Sequence, residues 1–384
     1  MKLTKIFLAV VGTIAVSSSM QVQAEKVFEK IIITASKKAQ TLQSSNIAVT
    51  AFSGDALREL NLTDSTDIAS QTPGLNIGTP VGEGNNPSIS LRGVGLNDFN
   101  DNNEGPIAVY RDDIYQSAMP GLTFQLFDLE RVEVLRGPQG TLYGRNATGG
   151  LVHFISTKPT DDLEGYLNVT IAEYNQLKTE GAISGGLTDN IQARLSVATN
   201  QHDGYVTNRV GKDANEADSM AARLQVNFDL SDDLSVLVNV HTADSDTVAP
   251  QYQHQATAGG TDFFGYSDND NDVWAGDYDR EGILKIESQG ASINLNYSAE
   301  NYEFTSITAI ENVEKIHQED TDVGPNPTLE PQFVSDNEQF SQEFRIAFTA
   351  GSVDWMLGAY YFENEVTGAL DFLGRYPGPV VDAI

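Results

Sequence analysis

Apolar and polar positions alternate with a period of two through much of the C-terminal half of the chain. Met220, Ala222, Leu224, Val226 and Phe228 are interleaved with Ala221, Arg223, Gln225, Asn227 and Asp229. Ala291, Ile293, Leu295 and Tyr297 are interleaved with Ser292, Asn294, Asn296 and Ser298, and stretches 191–197 and 234–240 follow the same rule. Successive side chains of an extended chain point to opposite faces, so each stretch predicts a strand with one apolar face and one that meets water. Read this way, the region holds nine strands, at about 164–174, 177–187, 191–200, 218–230, 234–243, 283–298, 302–314, 336–349 and 353–366. A soluble antiparallel sandwich shows the same alternation. The joins separate the two architectures. Those at 188–190, 231–233, 299–301 and 350–352 are very short, whereas those at 201–217, 244–282 and 315–335 are long. Short turns alternating with long loops are the pattern of a membrane β-barrel. A sandwich gives no reason for it.

The pattern upstream is different. Residues 53–60 (SGDALREL) place a Ser N-cap before a short helical stretch, and 64–71 is a second short helix stopped by Pro73 and Gly74. Short strands are predicted at 75–77, 88–92, 107–110, 132–135 and 151–155, with glycines at most junctions. Residues 43–157 therefore read as a compact mixed α/β domain.

Three ordered blocks in this domain carry a resemblance. They are ISLRGVG at 89–95, AVYRDDIY at 108–115 and DLERVEVLRGPQGTLYGRNATGGLVHFIS at 128–156. In order and spacing they resemble the plug domain of TonB-dependent outer-membrane receptors. Two positions depart from the family's habit: Arg111 stands where an apolar residue is usual, and LVHF at 151–154 replaces an AINI-type strand. The glycine-rich run lacks the Gly-Lys-Ser/Thr of a phosphate loop and is not expected to open a helix. The resemblance implies a mainly β protein: a mixed α/β plug followed by a partial antiparallel transmembrane β-barrel at 158–384, about nine strands of an expected 22. It also implies that charged plug residues, Arg92, Glu133, Arg136 and Arg145, pair with the barrel wall, with plug arginines meeting wall carboxylates. Solvated surface charge is the plain alternative.

The N-terminus supplies two further signals. Lys2 and Lys5, the apolar run 6–16 and Val22-Gln23-Ala24 have the order of a signal peptide cleaved after Ala24. The linker 25–42 then contains Ile31, Ile32, Ile33, Thr34 and Ala35. Its β-branched residues favour an extended segment, which can join another protein's sheet as an added strand. It resembles the family's TonB box, outside the plug core. The implied partners are TonB with ExbB and ExbD, outer-membrane lipid, and an external ligand. A ferric siderophore is the leading ligand class; haem, cobalamin or an oligosaccharide is the alternative. A passive barrel or adhesin would need neither box nor plug.

Composition narrows the chemistry. With 54 acidic and 23 basic residues the formal charge is −31, which argues against nucleic-acid binding. It also disfavours a strongly anionic ligand unless local Arg or Lys compensates. The absence of cysteine excludes thiol catalysis and thiolate metal sites, and no Gly-x-Ser-x-Gly elbow occurs. Neither an enzyme nor a resident cofactor is expected. In the acidic loop, Asp268, Asp270, Asp272 and Asp279 have calcium-loop spacing, but Val273 occupies the position that needs glycine. Aromatics Phe263, Phe264, Tyr266 and Trp274 either contact a ligand or form the loop's own core. Residues 158–384 are too few for 22 strands with loops, at about 10 residues per strand, and the chain ends without a final aromatic residue. The sequence is thus expected to be the N-terminal part of a longer protein.

Overall fold

The computed structural model of the protein describes residues 32–38, 40–79, 86–98, 100–248, 261, 265–270, 272–351 and 353–372. The expected signal peptide, Ile31, Phe263 and Phe264 lie outside them. Two short strands come first, β1 (Ile32–Ile33) and β2 (Gln40–Thr41). Next are β3 (Ala48–Ser53), β4 (Leu75–Gly78), β5 (Ser88–Leu91), β6 (Val94–Gly95), β7 (Ile107–Arg111), β8 (Ile114–Tyr115), β9 (Leu129–Arg136) and β10 (Gly150–Ser156). The central plug sheet has the order β3-β9-β10-β7-β8, with β10 and β7 parallel. Phe52, Leu57, Ile68, Leu91, Val132, Val134, Val152 and Phe154 pack on one side of it. Tyr110, Leu135, Tyr143 and Leu151 pack on the other. Every residue of β10 is buried, so this strand is apolar nearly throughout rather than alternating.

Helix signals fall where the residues place them. The Ser53 side chain accepts from Ala56 N at 3.3 Å at the start of Gly54–Glu59. The second predicted helix divides into a 3-10 turn, Ser65–Asp67, and an α-helical turn, Ile68–Gln71. Two features differ from expectation. β3 was not predicted; it forms because its six residues pair with β9 from Ala48↔Arg136 to Ser53↔Arg131. The glycine-rich run does contain a helical turn, Gly140–Tyr143, closed by Gly144 at φ 75°. That left-handed conformation suits glycine at a helix end.

The second part contains β11 (Glu164–Ile171), β12 (Leu177–Thr188), β13 (Ile191–His202), β14 (Thr207–Asn208), β15 (Ala217–Ser231), β16 (Leu234–Thr247) and β17 (Ala275–Gly276). It continues with β18 (Ile283–Ala299), β19 (Tyr302–Gln318), β20 (Pro331–Ala350) and β21 (Val353–Phe372). Apart from the β14–β17 pair, these strands form one nine-stranded antiparallel sheet in chain order. Strands β16 and β19 to β21 run past their predicted outer ends, since each neighbour offers a ladder partner beyond the alternating stretch. Leu167, Leu195, Leu224, Val240, Ile293, Ile310 and Phe344 face outward and are 45–72% exposed. Arg194, Arg223, Gln225, Asn239, Glu311, Asn337 and Gln339 are buried on the inner side. This inverts a soluble sheet and matches a wall with lipid outside and a polar interior.

The long loops organise one another. β14 pairs in parallel with β17, joining the β13–β15 and β16–β18 loops. Val206, Ala214, Val248, Tyr278 and Val323 form a small core shared by all three long loops. Tyr278, not one of the four aromatics singled out from sequence, is the buried aromatic there.

Candidate functional site

The two-residue turn between β7 and β8 positions the first cluster. Asp112 (φ 49°) and Asp113 (φ 69°) both adopt left-handed backbone, as a tight hairpin requires. Asp112 then accepts from Ser156 N at 2.8 Å and Ser156 Oγ at 2.7 Å. Asp113 sits among three cationic or basic groups: Lys37 Nζ at 2.9 Å, Arg345 Nη2 at 3.9 Å and His153 Nε2 at 4.0 Å. Burial pushes its carboxyl up, but Lys37, His153 and Arg345 outweigh burial and hold it well below the usual carboxylate range. Burial lowers His153, with Asp113 and Glu133 opposing it, and its Nε2 accepts from Asp113 N at 3.1 Å. Lys37 also lies 3.8 Å from Glu343 of β20 and 4.5 Å above the Tyr143 ring. One cluster thus ties the N-terminal segment, the plug and the barrel wall together.

The segment predicted as a TonB box lies against this cluster. Ile32 is exposed, while Ile33 and Ala35 are fully buried among Tyr110, Leu135, Tyr143 and Leu151. Thr34 N donates to Glu133 Oε1 at 2.8 Å, and Tyr143 OH donates to Thr34 O at 3.1 Å. Arg131 Nε holds the same Glu133 oxygen at 2.8 Å. The expectation that the segment lies outside the plug core is therefore corrected. Two apolar side chains on a short extended stretch find a ready slot beside β9, and Glu133 supplies the acceptor that its backbone needs.

Three of the four residues expected to pair with the wall meet plug partners instead. Glu133 serves Thr34 and Arg131, Arg136 donates to Thr50 Oγ1, and Arg145 pairs with Glu104 at 2.8 Å. Arg92 is exposed in a tight turn at φ 53°, and Arg145 touches the wall through the Phe362 ring, 4.8 Å away. Among the described residues, ion pairs between 43–157 and the wall run in the opposite sense, with plug carboxylates meeting wall cations, while Lys37 and Lys38 ahead of the plug meet the wall carboxylates Glu343 and Asp354. Asp128 binds Arg194 at 2.5 Å and Arg223 at 3.4 Å. Asp101 binds Lys315 at 2.5 Å. The physical reason is that wall arginines and lysines can extend across the lumen, while short aspartates tolerate the strained turns at the plug surface; Asp128 itself has φ 47°.

One row of the inner wall does most of this gripping. Ladder partners align Ser196, Arg223, His241, Gly290, Glu311, Gln339 and Asn364 across seven consecutive strands. At one end, Ser196 Oγ and Arg223 hold Asp128. At the other, Gln339 Oε1 accepts from Ser117 N at 3.1 Å, its Nε2 donates to Tyr115 O at 2.7 Å, and Asn364 lies 3.2 Å from Ser117 Oγ. In the middle, Gly290 leaves room for His241 Nε2 and Glu311 Oε2 to meet at 2.9 Å across an intervening strand. Sequence reasoning missed this row; its signal was the polar set within each alternating strand.

The four aspartates with calcium-loop spacing are not brought together in the acidic loop. Asp268, Asp270 and Asp277 surround Arg209 instead. Asp279 groups with Asp320 and Asp322, their oxygens within 4.8 Å of one another. Trp274 is exposed and packs edge-on against Tyr205.

Comparison with known proteins fits this geometry. The family model of the TonB-dependent Receptor Plug Domain matches residues 41–151. The pesticin receptor of Yersinia pestis is 29% identical over 195 residues, covering 50% of this chain and 28% of that protein. A vitamin B12 transporter of Vibrio vulnificus is 25% identical over 256 residues, covering 64% of this chain and 40% of its own length. Among solved structures, the ferric yersiniabactin uptake receptor of Yersinia pestis superposes with TM-score 0.71 at 21% identity, over 85% of this chain and 50% of that one. The ferripyoverdine receptor of Pseudomonas aeruginosa gives 0.73 at 16% identity, over 88% and 45%. The chain thus spans about half the length of these solved receptors and superposes on them in fold. With its plug sheet, its inward-polar wall and the contacts between them, the chain carries at 41–151 the plug domain of TonB-dependent receptors, followed by nine strands of wall that share the fold of the solved receptors.

Proposed function

We propose that the protein is an outer-membrane receptor that actively imports a scarce external ligand, most consistent with a ferric siderophore, and that it is not a catalyst. The observation that carries this reading is the N-terminal segment held in the plug through Thr34 and Glu133. A plug clamped to the wall closes the path, and a segment anchored at its edge gives a point from which force can open it. In this reading Ile31, Ile32, Ile33, Thr34 and Ala35 pair as a strand with TonB, driven by ExbB and ExbD. The siderophore assignment is supported by the names of the yersiniabactin and ferripyoverdine receptors. Cobalamin is the second reading, favoured by the 64% of the chain that aligns with the vitamin B12 transporter. Whole-cell uptake of radiolabelled ferric siderophores and cobalamin, with and without TonB, tests both. TonB-dependent uptake of one ligand is expected; equal uptake without TonB would overturn the mechanism.

A further inference from the structure

The face of the plug sheet that receives the N-terminal segment carries a polar pair that packing alone does not explain. His153, the polar residue of the 151–154 stretch that departs from the plug family's usual strand, lies directly across from Glu133 in the β9–β10 ladder. Both are fully buried. Glu133 Oε2 and His153 Nδ1 are buried without a hydrogen-bond partner. The remaining atoms of the pair are engaged around the segment. Glu133 Oε1 takes Thr34 N at 2.8 Å and Thr34 Oγ1 at 3.2 Å. His153 Nε2 accepts the Asp113 N–H at 3.1 Å, a bond that only an unprotonated ring nitrogen can accept.

One atom, Asp113 Oδ1, is shared by the imidazole and the segment. Lys37 Nζ lies 2.9 Å from it and His153 Nε2 4.0 Å. The Lys37 side chain is almost fully buried, while that of Asp113 is about a quarter exposed. Arg345 faces the other oxygen, Asp113 Oδ2, at 3.9 Å and lies 3.2 Å from Glu343, so the wall steadies Asp113 whether or not Lys37 is present. Burial and Lys37 oppose a proton on His153, and Asp113, Glu133 and Asp112 favour one. Arg131 is engaged with Glu133. Tyr110, edge-on to the imidazole at 6.1 Å, and Tyr143 are phenols that burial pushes up, so both stay neutral.

We infer that Lys37 and a protonated His153 compete for Asp113 Oδ1, which makes the seating of residues 32–38 a proton-controlled latch. Protonation of Nε2 removes the acceptor for the Asp113 N–H, and the new N–H turns to the carboxylate oxygen that Lys37 holds. So dry a pocket disfavours two cations on one oxygen, and Lys37 is the one carried by a segment that can leave. Once it leaves, water reaches the ring and the ammonium charge is gone, so the released state binds the proton more tightly than the seated state. Seating is therefore complete above the ordinary imidazole value of 6.5 and weakens as pH falls below it. The partly exposed Asp113 gives protons a route to the ring without opening the sheet. The latch itself stands on this geometry. That the freed segment is then offered to TonB rests on the proposed function.

The experiment is hydrogen exchange of the purified protein in detergent micelles, each rate being corrected for intrinsic exchange at its pH. Protection of residues 32–38 should fall at least about tenfold between pH 8 and pH 5, while β10 keeps its protection. His153→Asn, whose side-chain oxygen can still accept the Asp113 N–H but does not titrate, should hold the segment's protection within about twofold over the same range. Lys37→Met removes the competitor, so protection should be low already at pH 8 and change little on acidification. No fall in the wild type, an equal fall in His153→Asn or Lys37→Met, or an equal fall across β10 would each overturn the latch. The wild-type and Lys37→Met measurements decide it even if His153→Asn does not fold. No TonB enters the assay, so its failure leaves the import mechanism standing. Ligand uptake that is equal without TonB, beside a segment that still loosens on acidification, would do the reverse.

Discussion

Asp128 shows how much of the assembly depends on single side chains. It is almost fully buried, takes Arg194 and Ser196 through its carboxylate, and receives Arg223 on its backbone oxygen at 2.8 Å. Removing one partner of a buried charge pair costs about 3–5 kcal/mol because the remaining charge is left unpaired. Asp128→Ala is therefore expected to lower the denaturant midpoint for plug release, read by protease access to the plug. Asp128→Asn should lie between alanine and wild type. Ile33 makes a second case. In a solvated tail, a proline there would leave stability unchanged. In its buried slot beside Leu135 and Tyr143, Ile33→Pro should detach residues 32–38, so that trypsin cuts at Lys37 or Lys38 faster than in wild type. Under the proposed mechanism the same variant loses uptake while retaining surface binding of ligand at low temperature. Wild-type cleavage rates would show that the slot is not what holds the segment.

At the scale of elements, the gripping row and the external loops respond to different tests. A β-carbon on Gly290 would lie 2.2 Å from Glu311 Oε2 and 2.6 Å from His241 Cε1. Gly290→Ala should break the bridge between those side chains and cost about 1–3 kcal/mol, as overpacking does, measurable as a lower midpoint in urea. The loop at 319–330 depends on pH. Burial and the neighbouring Asp322 push Asp320 up to about 7, and burial and Glu330 push Asp279 up to about 6. Between the ordinary value of 3.8 and these raised values, the folded loop holds protons that the unfolded chain has released. Stability of this region should therefore rise as pH falls from 8 towards 5. Hydrogen exchange of residues 319–330 should slow over that interval, and Asp320→Asn should slow it at pH 8 with little effect at pH 5. A loop that loosens on acidification would contradict the assignment.

For the whole molecule, the decisive property is which way the wall faces. Leu224 and Ile293 point away from the plug and are about half exposed, which is tolerable only if lipid covers them. Ile293→Arg is expected to cost about 2–4 kcal/mol near the membrane midplane, seen as a reduced fraction inserted into liposomes. Inner-face Asn239→Arg, at the same level of the neighbouring strand (Asn239↔Ser292), should insert far better. Equal insertion of both variants would mean that the faces are wrongly assigned.

Much of this organisation is local and so was legible in the residues. Period-two alternation in 218–230 and 283–298 specifies a strand and its two faces whatever it packs on, because the pleat alone sets that period. Short polar joins fix antiparallel neighbours, and the Ser53 cap and Pro73-Gly74 stop are decided within a few residues. Ordered glycine and charge blocks at 89–95, 108–115 and 128–156 carried the family resemblance. What only tertiary structure decided are contacts between residues far apart in sequence. That Asp128 rather than Arg136 meets the wall depends on register across the sheet and on a left-handed turn. That Ile33 is buried depends on a slot formed by Tyr110, Leu135 and Tyr143. That Asp279 joins Asp320 and not Asp268 depends on how three loops fold over one another. Alternation tells a side chain which face it occupies, but the partner on that face is set by the packing of plug against wall, which no local pattern encodes.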